Sequence, residues 1–438
     1  MGNYFHSVTL DEGKCRGCTN CIKRCPTEAI RVRQGKARII KERCIDCGEC
    51  IKVCPYHAKK AITDDISCIT PYKYKIAIPA PTLYSQFKPE YSINRLLNAF
   101  KLIGFDDVYE VARAAEFVTD ATKKLLADGG VKRPFISSAC PAVVRLIQVR
   151  FPNLIENLVK LESPMEVAAT IAKKKAADEK NLDPSDIGVF FITPCAAKVT
   201  SVKAPYEKEK SSVDGVISIK DIFLKLLGKM EKAKEEDQLA QAGFEGIRWA
   251  NSGGEGLALG TDKFLAVDGI HNVITILEAI ENDKVEDVDF IEALSCTGGC
   301  MGGPLTVENL YVAKTRLKKH IDDAKVTEKE RSTKEKYEDD MMWTCNIVHK
   351  PIMKLDDNLE KAIKKLEDLE KINRNLPGLD CGACGAPSCR SLAEDIVRGI
   401  ANEHDCIFKL RERVRDLAVQ MMELEDKVPP VMNNREDK

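Results

Sequence analysis

The sequence has little net charge, few aromatic residues and no long apolar run. Its 438 residues carry a formal net charge of -1 and are 6% aromatic. A chain this close to neutrality creates no strong surface field, so neither nucleic acid nor a membrane is expected as a partner. No stretch approaches the roughly 20 apolar residues of a transmembrane helix, and the first residues lack the pattern of a signal peptide. We therefore expect a soluble, cytoplasmic protein.

Cysteine is the residue that the chain has in excess, with 18 in total. Thiols stay reduced in the cytosol, and a chain with 44% hydrophobic residues can bury a core that needs no disulfides. Metal ligation is therefore the expected role of most of these cysteines.

Residues 15–25 and 44–54 contain the same cysteine spacing, C-x2-C-x2-C-x3-C-P, twice. This spacing is typical of bacterial two-cluster ferredoxins, in which the fourth cysteine of each run binds the other cluster. The resemblance extends over residues 7–66 and implies electron relay. Zinc ribbons use paired C-x2-C knuckles instead, which disfavours two zinc sites. One [4Fe–4S] cluster is expected on Cys15, Cys18, Cys21 and Cys54, and the other on Cys44, Cys47, Cys50 and Cys25.

From about residue 72, short apolar strands alternate with amphipathic helices, which predicts an α/β domain. Cys140, Cys195, Cys296 and Cys300 follow three of the predicted strands. Ligands of open α/β sheets bind at such strand ends. A single free cysteine is commonly a buried, inert thiol, but a set of them at strand-end loops favours a shared metal cluster.

The loops around these cysteines resemble the three signature loops of [FeFe]-hydrogenases. The likeness rests on SSACP, PCAAK and SCTGGCMGG and extends over about residues 70–350. It implies that the four cysteines hold the [4Fe–4S] part of the H-cluster, with Cys300 bridging to a diiron unit that carries CO, cyanide and an azadithiolate. It also implies that Lys198 hydrogen-bonds one cyanide and that the backbone at Pro79 lies near the other. The alternative for Lys198 is a solvated surface lysine.

The chain departs from catalytic members of this family around the expected pocket. Those members carry a proton-relaying cysteine where this chain has Ala139, and glutamates where it has Ala121 and Thr122. Methionines of the family are replaced by Thr193 and Leu294. A positioned acid–base group typically contributes about 10²–10⁴-fold to a rate. We therefore expect slow turnover, which suits a sensor.

The carboxyl-terminal region has a fourth cysteine set, Cys381, Cys384, Cys389 and Cys406, spaced C-x2-C-x4-C-x16-C. It resembles the [4Fe–4S] module of corrinoid iron–sulfur proteins and of sensory-type [FeFe]-hydrogenases. Four thiolates also suit structural zinc, but the sequence motif GAPSC favours the [4Fe–4S] cluster. Cys68 and Cys345 remain as structural or spare thiols.

Two apolar stripes with coiled-coil spacing flank this module. Each either packs onto its own domain or forms a dimer seam or a docking surface for an output partner. The first stripe is Ile352, Leu355, Leu359, Ala362, Leu366 and Leu369, and the second is Leu410, Val414, Leu417, Met421 and Leu424. The polar, proline-containing tail from residue 425 is expected to stay unfolded.

These observations predict an α+β two-cluster ferredoxin-like domain over residues 1–66, an α/β H-cluster domain with cluster loops at strand ends over 67–350, and a small, mostly helical [4Fe–4S] module over 351–438. The predicted function is that of a sensory [FeFe]-hydrogenase, which binds and slowly oxidises or produces H2 and relays electrons through accessory clusters. Expected partners are H2 and protons, a redox protein such as ferredoxin, a signalling kinase or phosphatase, and a second copy of the chain.

Two alternatives remain open at this stage. One is a catalytic, ferredoxin-dependent [FeFe]-hydrogenase that uses another proton route. The other is a Narf-like iron–sulfur assembly factor, which shares the fold but has no diiron site. The presence of Lys198 argues against the assembly factor, because its expected partner is a cyanide of the diiron unit.

The cysteine sets predict the iron content of the matured protein. Four [4Fe–4S] clusters and one diiron unit require about 18 iron atoms per chain. Iron and zinc analysis after maturation checks this number. About eight iron atoms together with stoichiometric zinc would contradict the assignment of the cysteine sets.

Overall fold

The computed structural model describes residues 5–128, 132–328, 337, 340–352 and 354–427. The tail beyond residue 427 and most of the charged stretch 325–340 lie outside these residues, so the expected disorder of the tail stays a prediction. Among the described helices, none combines the length and the apolar composition that a membrane crossing requires.

The secondary structure alternates between strands and helices from residue 74 onward and is largely helical after residue 310. The strands are β1 (Val8–Leu10), β2 (Ile30–Arg33), β3 (Lys36–Ile39), β4 (Lys59–Ala61), β5 (Tyr74–Pro79), β6 (Asp107–Val108), β7 (Phe135–Ile136), β8 (Ile187–Thr193), β9 (Gly215–Ser218), β10 (Phe264–Asp268) and β11 (Phe290–Leu294). The α-helices are α1 (Asn20–Lys23), α2 (Glu49–Lys52), α3 (Ile93–Lys101), α4 (Val111–Asp128), α5 (Pro141–Arg150), α6 (Pro164–Lys180), α7 (Ala196–Lys203), α8 (Ile219–Leu227), α9 (Phe244–Arg248), α10 (Gly254–Leu259), α11 (Ile270–Glu281), α12 (Leu310–Glu328), α13 (Leu359–Asn375), α14 (Cys389–Val397) and α15 (Ile407–Glu425).

The described residues form two compact units, and each draws on separate parts of the chain. The first comprises Met1–Asp11, Arg43–Lys52 and Lys59–Pro351. The second comprises Glu12–Glu42, Val53–Ala58 and Ile352–Lys438. The domain boundaries predicted at residues 66 and 350 follow the sequence motifs and remain predictions.

The first unit is built on two parallel sheets, with strand orders β6-β5-β8-β9 and β10-β11-β7. All residues of β8 and β11 are buried. Near-continuous burial is expected for parallel strands that are covered on both faces. The predicted α/β class is therefore confirmed. The short antiparallel pair of β1 and β4 belongs to the same unit.

Strand β8 divides the hydrophobic core of the first unit into two layers. Phe190 packs into the layer that contains Phe100 of α3, whereas Phe191 packs into the layer that contains Ala168 of α6. Successive side chains of a strand point to opposite faces, which explains this alternation. Each fully buried phenylalanine stabilises the fold by about 1.5–3 kcal/mol relative to an exposed one. The layers hold the carboxyl ends of the strands in place.

The second unit contains the β2–β3 hairpin and the carboxyl-terminal helices α13, α14 and α15. Its small core includes Leu369 and Leu376 together with Leu392 and Cys406. The mostly helical character predicted for the carboxyl-terminal module is confirmed.

The two cysteine runs near the amino terminus have matching backbones. Left-handed backbone conformations occur in pairs of residues 29 positions apart, as at Glu28 (φ 50°) and His57 (φ 48°). The same holds for Thr19 and Gly48, with φ of 67° and 77°. The internal duplication read from the cysteine spacing is thus repeated in the local geometry.

The two apolar stripes differ in their surroundings. On α13, Leu369 is buried in the core of the module, whereas Leu359 and Leu366 are exposed. Every side chain of α15 from Leu410 to Glu425 is exposed. The first stripe therefore packs partly onto its own unit, and the second does not pack onto the described part of the chain.

Candidate active site

A cavity of about 110 Å³ lies at the carboxyl ends of the parallel strands in the first unit. Residues that follow four different strands line it, because both sheets direct their strand ends to this place. Its lining includes Ala80, Ala139, Cys140, Cys195, Lys198, Glu255, Glu292, Leu294 and Cys300.

The structure brings the four predicted H-cluster cysteines together. Cys140, Cys195 and Cys300 line the cavity. Burial raises the pKa of the Cys296 thiol well above its usual value; Lys52 opposes this shift, and the three other thiols add to it. An electrostatic effect of this kind requires that the four sulfurs lie near one another. Their role as cluster ligands remains a prediction.

The loop between Cys296 and Cys300 packs directly on the backbone of residues 250–252. Gly299 has a φ of 80°, and a Cβ atom at this position would lie 2.7 Å from the nitrogen of Ser252. Only glycine combines this conformation with so close an approach. The glycine-rich sequence of the loop therefore has a steric reason that is independent of any ligand.

Cys195 is held at the amino end of α7, where backbone N–H groups point toward its sulfur. Burial raises the pKa of the Cys195 thiol to about 11, and the N–H groups of Lys198 and Ala197 oppose that shift. The backbone nitrogen of Cys195 donates to Thr193 Oγ1 at 3.1 Å. Thr193 thus stabilises the backbone at Cys195. Such an N-terminus favours a bound anion.

Lys198 carries its ammonium group into this cavity. Its Nζ is buried and has no hydrogen-bond partner among the described residues. The surface-lysine alternative therefore does not fit, since a solvated ammonium would be exposed. An unpaired buried charge is costly, so the site fits a bound anionic group beside the cysteines, such as a cyanide-bearing diiron unit.

The other predicted site residues divide into near and distant ones. Ala139 lines the cavity, and its backbone nitrogen donates to Ser137 Oγ at 3.2 Å. Pro79 ends β5 and is followed by the lining residue Ala80. Ala121 and Thr122 lie farther along α4 than its lining residues and do not line the cavity.

Two buried carboxyl groups that the sequence reasoning missed belong to the cavity. Ser137 Oγ donates to Glu255 Oε2 at 2.6 Å. Glu292 accepts hydrogen bonds of 2.9 Å from the backbone nitrogens of Gly253 and Gly256. Burial raises the pKa of both glutamates, and the charge of Glu292 raises that of Glu255 further. The two groups therefore hold protons at pH values at which ordinary carboxyls have lost them.

A signal for one of these acids was present in the sequence. Glu292 interrupts the apolar run FIEAL, and a charged residue within a fully buried strand is rare unless it is paired or functional. Asp268, at the end of the neighbouring strand β10 and partly exposed, lies close enough to raise the Glu292 pKa. Glu255 follows a glycine pair and carried no comparable signal.

The remaining cysteine sets lie in loops that offer N–H groups to sulfur. The nitrogens of Ala29 and Ala58 donate to the sulfurs of Cys25 and Cys54, each at 3.2 Å. Ala37 donates to Cys15 at 3.4 Å. Such bonds stabilise the negative charge of thiolate ligands, and cluster potentials depend on them. The whole set Cys15, Cys18, Cys21 and Cys54 lies in the second unit, as does the set Cys381, Cys384, Cys389 and Cys406.

Fold and site together fit an iron–sulfur protein whose cysteine-lined cavity lies at the strand ends of an α/β domain. The family model "Iron only hydrogenase large subunit, C-terminal domain" matches residues 73–255 and 224–304, which span more than half of the chain. A 4Fe-4S dicluster domain matches residues 7–55, and an Fe-S cluster family matches residues 376–408. The chain belongs to the iron-only, or [FeFe], hydrogenase large-subunit family.

Individual relatives include two hydrogenases and one assembly factor. The periplasmic [Fe] hydrogenase large subunit of Nitratidesulfovibrio vulgaris is 26% identical over 72% of this chain and 90% of its own length. Iron hydrogenase 1 of Clostridium pasteurianum is 22% identical over 56% of this chain, which spans 53% of that relative. A cytosolic Fe-S cluster assembly factor of Caenorhabditis elegans is 23% identical over 50% of this chain and 59% of its own length.

A further buried carboxyl group, Glu207, lies near Ser163 and Lys198. It accepts a hydrogen bond of 2.8 Å from the nitrogen of Ser163. Burial raises its pKa from 4.5 to about 7, although Lys198 opposes the shift. The folded state therefore holds a proton that the unfolded chain releases between pH 4.5 and about 7.

We predict that stability is lost across this window as pH rises, by at most about 1.4 kcal/mol per pH unit from this group. Replacing Glu207 with glutamine keeps an acceptor for Ser163 and should flatten the dependence. Anaerobic denaturant titrations of cluster-loaded wild type and E207Q at several pH values measure the effect. Equal slopes for the two proteins would rule out Glu207 as its source.

Proposed function

We propose that this protein interconverts H2 with protons and electrons at an H-cluster held in the strand-end cavity. The observation that carries the proposal is the unpaired, buried ammonium of Lys198 next to the converging cysteine loops. When bound, the diiron group supplies the redox chemistry that converts H2 into two protons and two electrons, and the reverse.

The residues of the chain have distinct tasks in this proposal. Cys140, Cys195, Cys296 and Cys300 hold the iron–sulfur part, and Cys300 also holds the diiron part. The ammonium of Lys198 pairs with a cyanide ligand, which offsets the cost of burying the charge. The apolar residues of the lining, among them Leu294, exclude water and strengthen these electrostatic interactions.

A proton route through buried carboxyl groups supports this function despite Ala139. Glu255 and Glu292 both line the cavity, and Glu255 accepts from Ser137, which in turn accepts from the backbone of Ala139. Asp268, at the partly exposed end of β10, lies close enough to Glu292 for its charge to raise the Glu292 pKa further. Carboxyls with raised pKa values can both accept and donate protons near neutral pH. Ala121 and Thr122 are outside this route.

We further propose that turnover is slow and that the protein reports hydrogen or redox state to a signalling partner. The methyl group of Ala139 cannot pass a proton, so the position next to Cys140 offers no acid–base group and protons have to travel through Glu255 and Glu292 instead. Slow release of electrons to a redox partner such as ferredoxin would let occupancy by H2 act as the signal. A cytoplasmic location and a kinase or phosphatase partner belong to this proposal.

The catalytic, ferredoxin-dependent hydrogenase is the second candidate, and the two buried glutamates favour it. A chain that retains a complete alternative route could turn over at the rates of catalytic members. The rate of hydrogen evolution with a chemical reductant, normalised to diiron content, separates the two candidates. Rates typical of catalytic members would refute the sensory proposal.

The assembly-factor alternative is separated by infrared spectroscopy after maturation. Bands of CO and cyanide are expected only if a diiron unit is bound. Their absence from a protein with a full complement of iron–sulfur clusters would refute the hydrogenase proposal and favour the assembly factor.

The proton route predicts that E255Q and E292Q lose activity. Glutamine keeps the size of the side chain and its hydrogen-bond acceptor but cannot release a proton. We expect hydrogen evolution to fall by about 10²-fold or more at equal diiron occupancy, as judged by infrared bands.

E110Q is the matched control. Glu110 is also buried and also accepts hydrogen bonds from two backbone nitrogens, those of Gln241 and Ala242, but it does not line the cavity. Its replacement should leave the rate unchanged. Wild-type rates in E255Q and E292Q would exclude the route.

The A139C variant should gain activity, because its thiol would lie beside Ser137 and so join the route.

We also propose that a second copy of the chain covers α15. Each apolar residue of its stripe is at least 42% exposed. In heptad terms this stripe places Val414 and Met421 at the a positions and Leu410, Leu417 and Leu424 at the d positions. Branched Ile and Val at a with Leu at d favour a parallel, two-stranded coiled coil. This pattern argues for self-association rather than for an unrelated partner.

The seam predicts that combining L417E and L424E converts a dimer into a monomer, because the change places carboxylates within an apolar interface. V419E is the control, since Val419 is exposed but occupies the outward f position. Light scattering of the full chain measures the mass. A monomeric wild type, or a dimer that both variants leave intact, would refute the seam.

A further inference from the structure

The second unit contains two of the predicted cluster sites in full. The first ferredoxin-type set and the carboxyl-terminal set are both confined to it. They are separated by more than 300 residues in sequence, so nothing in the cysteine spacing relates one to the other. Their relation depends on how the carboxyl-terminal loop packs on the ferredoxin-like segment.

The two cysteine loops are in direct contact. A Cβ atom on Gly382, which follows Cys381, would lie 3.0 Å from Lys23 Cε and 3.5 Å from Ile22 Cδ1. Ile22 and Lys23 follow Cys21 without a gap. Lys23 Nζ also donates a hydrogen bond to the carbonyl oxygen of Asp380. The two loops are therefore adjacent and joined by this hydrogen bond.

Strand β2 fixes the carboxyl-terminal loop from a second side. The nitrogen of Val32 donates to the carbonyl of Gly385 at 2.8 Å, and Arg33 Nη1 donates to the carbonyl of Cys384 at 2.8 Å. Gly385 has a φ of 78°, and a Cβ atom there would lie 2.0 Å from Val32 O. The packing is backbone against backbone, which leaves no room for a side chain at this glycine.

A buried charge network locks this arrangement. Asp395, which is 3% exposed, accepts from Arg31 Nε at 2.7 Å and from Arg33 Nη2 at 2.6 Å. Glu28 accepts from the hydroxyl groups of Ser388 and Ser391. Buried charges are tolerated only when they are paired with good geometry, so such a network specifies one alignment. A flexibly tethered module would not need it.

We infer that the carboxyl-terminal cluster is a fixed redox neighbour of the first ferredoxin-type cluster, the one on Cys15, Cys18, Cys21 and Cys54, and that Arg33 tunes its reduction potential. One electron passes directly between them: the reduced cluster of the pair is oxidised and the other is reduced. The guanidinium of Arg33, which donates a hydrogen bond to the carbonyl of Cys384, stabilises the reduced, more negative cluster and thereby raises its reduction potential. The inference rests on the cluster assignments and not on hydrogen chemistry in the other unit.

Electron paramagnetic resonance of the full chain, reconstituted with iron and sulfide and fully reduced, tests the neighbourhood. The signal lost in C384S/C389S identifies the carboxyl-terminal cluster. Magnetic coupling to its neighbour should broaden this signal in the wild type, and C18S/C21S should narrow it. C68S is the control, because Cys68 belongs to none of the cluster sets. A signal unaffected by C18S/C21S would overturn the inference.

Potentiometric titration of the same signal tests Arg33. R33Q should shift the reduction equilibrium about tenfold toward the oxidised cluster, which is about 59 mV for one electron. R33K should retain most of the wild-type potential, and R38Q, a change at an exposed arginine of the neighbouring strand, should not alter it. A purely structural role would change iron content or stability but not the potential. An unchanged potential in R33Q would exclude tuning, whereas zinc in place of this cluster would overturn the cluster assignment itself.

Discussion

The buried ammonium of Lys198 is the interaction on which the rest of the site depends. Two parallel sheets direct cysteine-bearing loops to one cavity, and the lysine enters the same cavity without a hydrogen-bond partner among the described residues. The carboxyl groups of Glu207 and Glu255 are close enough to interact electrostatically with this lysine, but neither accepts a hydrogen bond from its Nζ, so the site fits a further anionic group bound there. The cavity, the cysteines and the lysine thus describe one binding site.

Two buried carboxyl groups give the cavity proton-carrying side chains in addition to its thiols. Glu255 and Glu292 come from α10 and β11, and their burial raises the cost of ionising either carboxyl group. Their raised pKa values are a consequence of burial and proximity, which is how proteins adapt carboxyls to proton transfer near neutral pH. The absence of a thiol at Ala139 therefore does not leave the cavity without acids.

Much of the fold followed from local pattern. The apolar runs at residues 74–82, 186–195 and 290–296 contain β5, β8 and β11, since a parallel strand buried on both faces is a continuous apolar segment. The helical periodicity at residues 90–104 and 218–230 corresponds to α3 and α8, which are shorter than these segments. The cysteine spacing likewise identified the loops, because each loop has to present its sulfurs within a few residues.

The sequence by itself determined which loops bear cysteine and that strands and helices alternate, because both are properties of short segments. Only the tertiary structure decided that Glu255 meets Glu292, that Ala121 lies outside the cavity, and that Asp395 joins Arg31 and Arg33 across more than 360 positions. Such contacts depend on the crossing of distant elements, and spacing along a chain carries no record of them. The charge of a residue is local, whereas its partner and its burial are set by the packing of the whole unit.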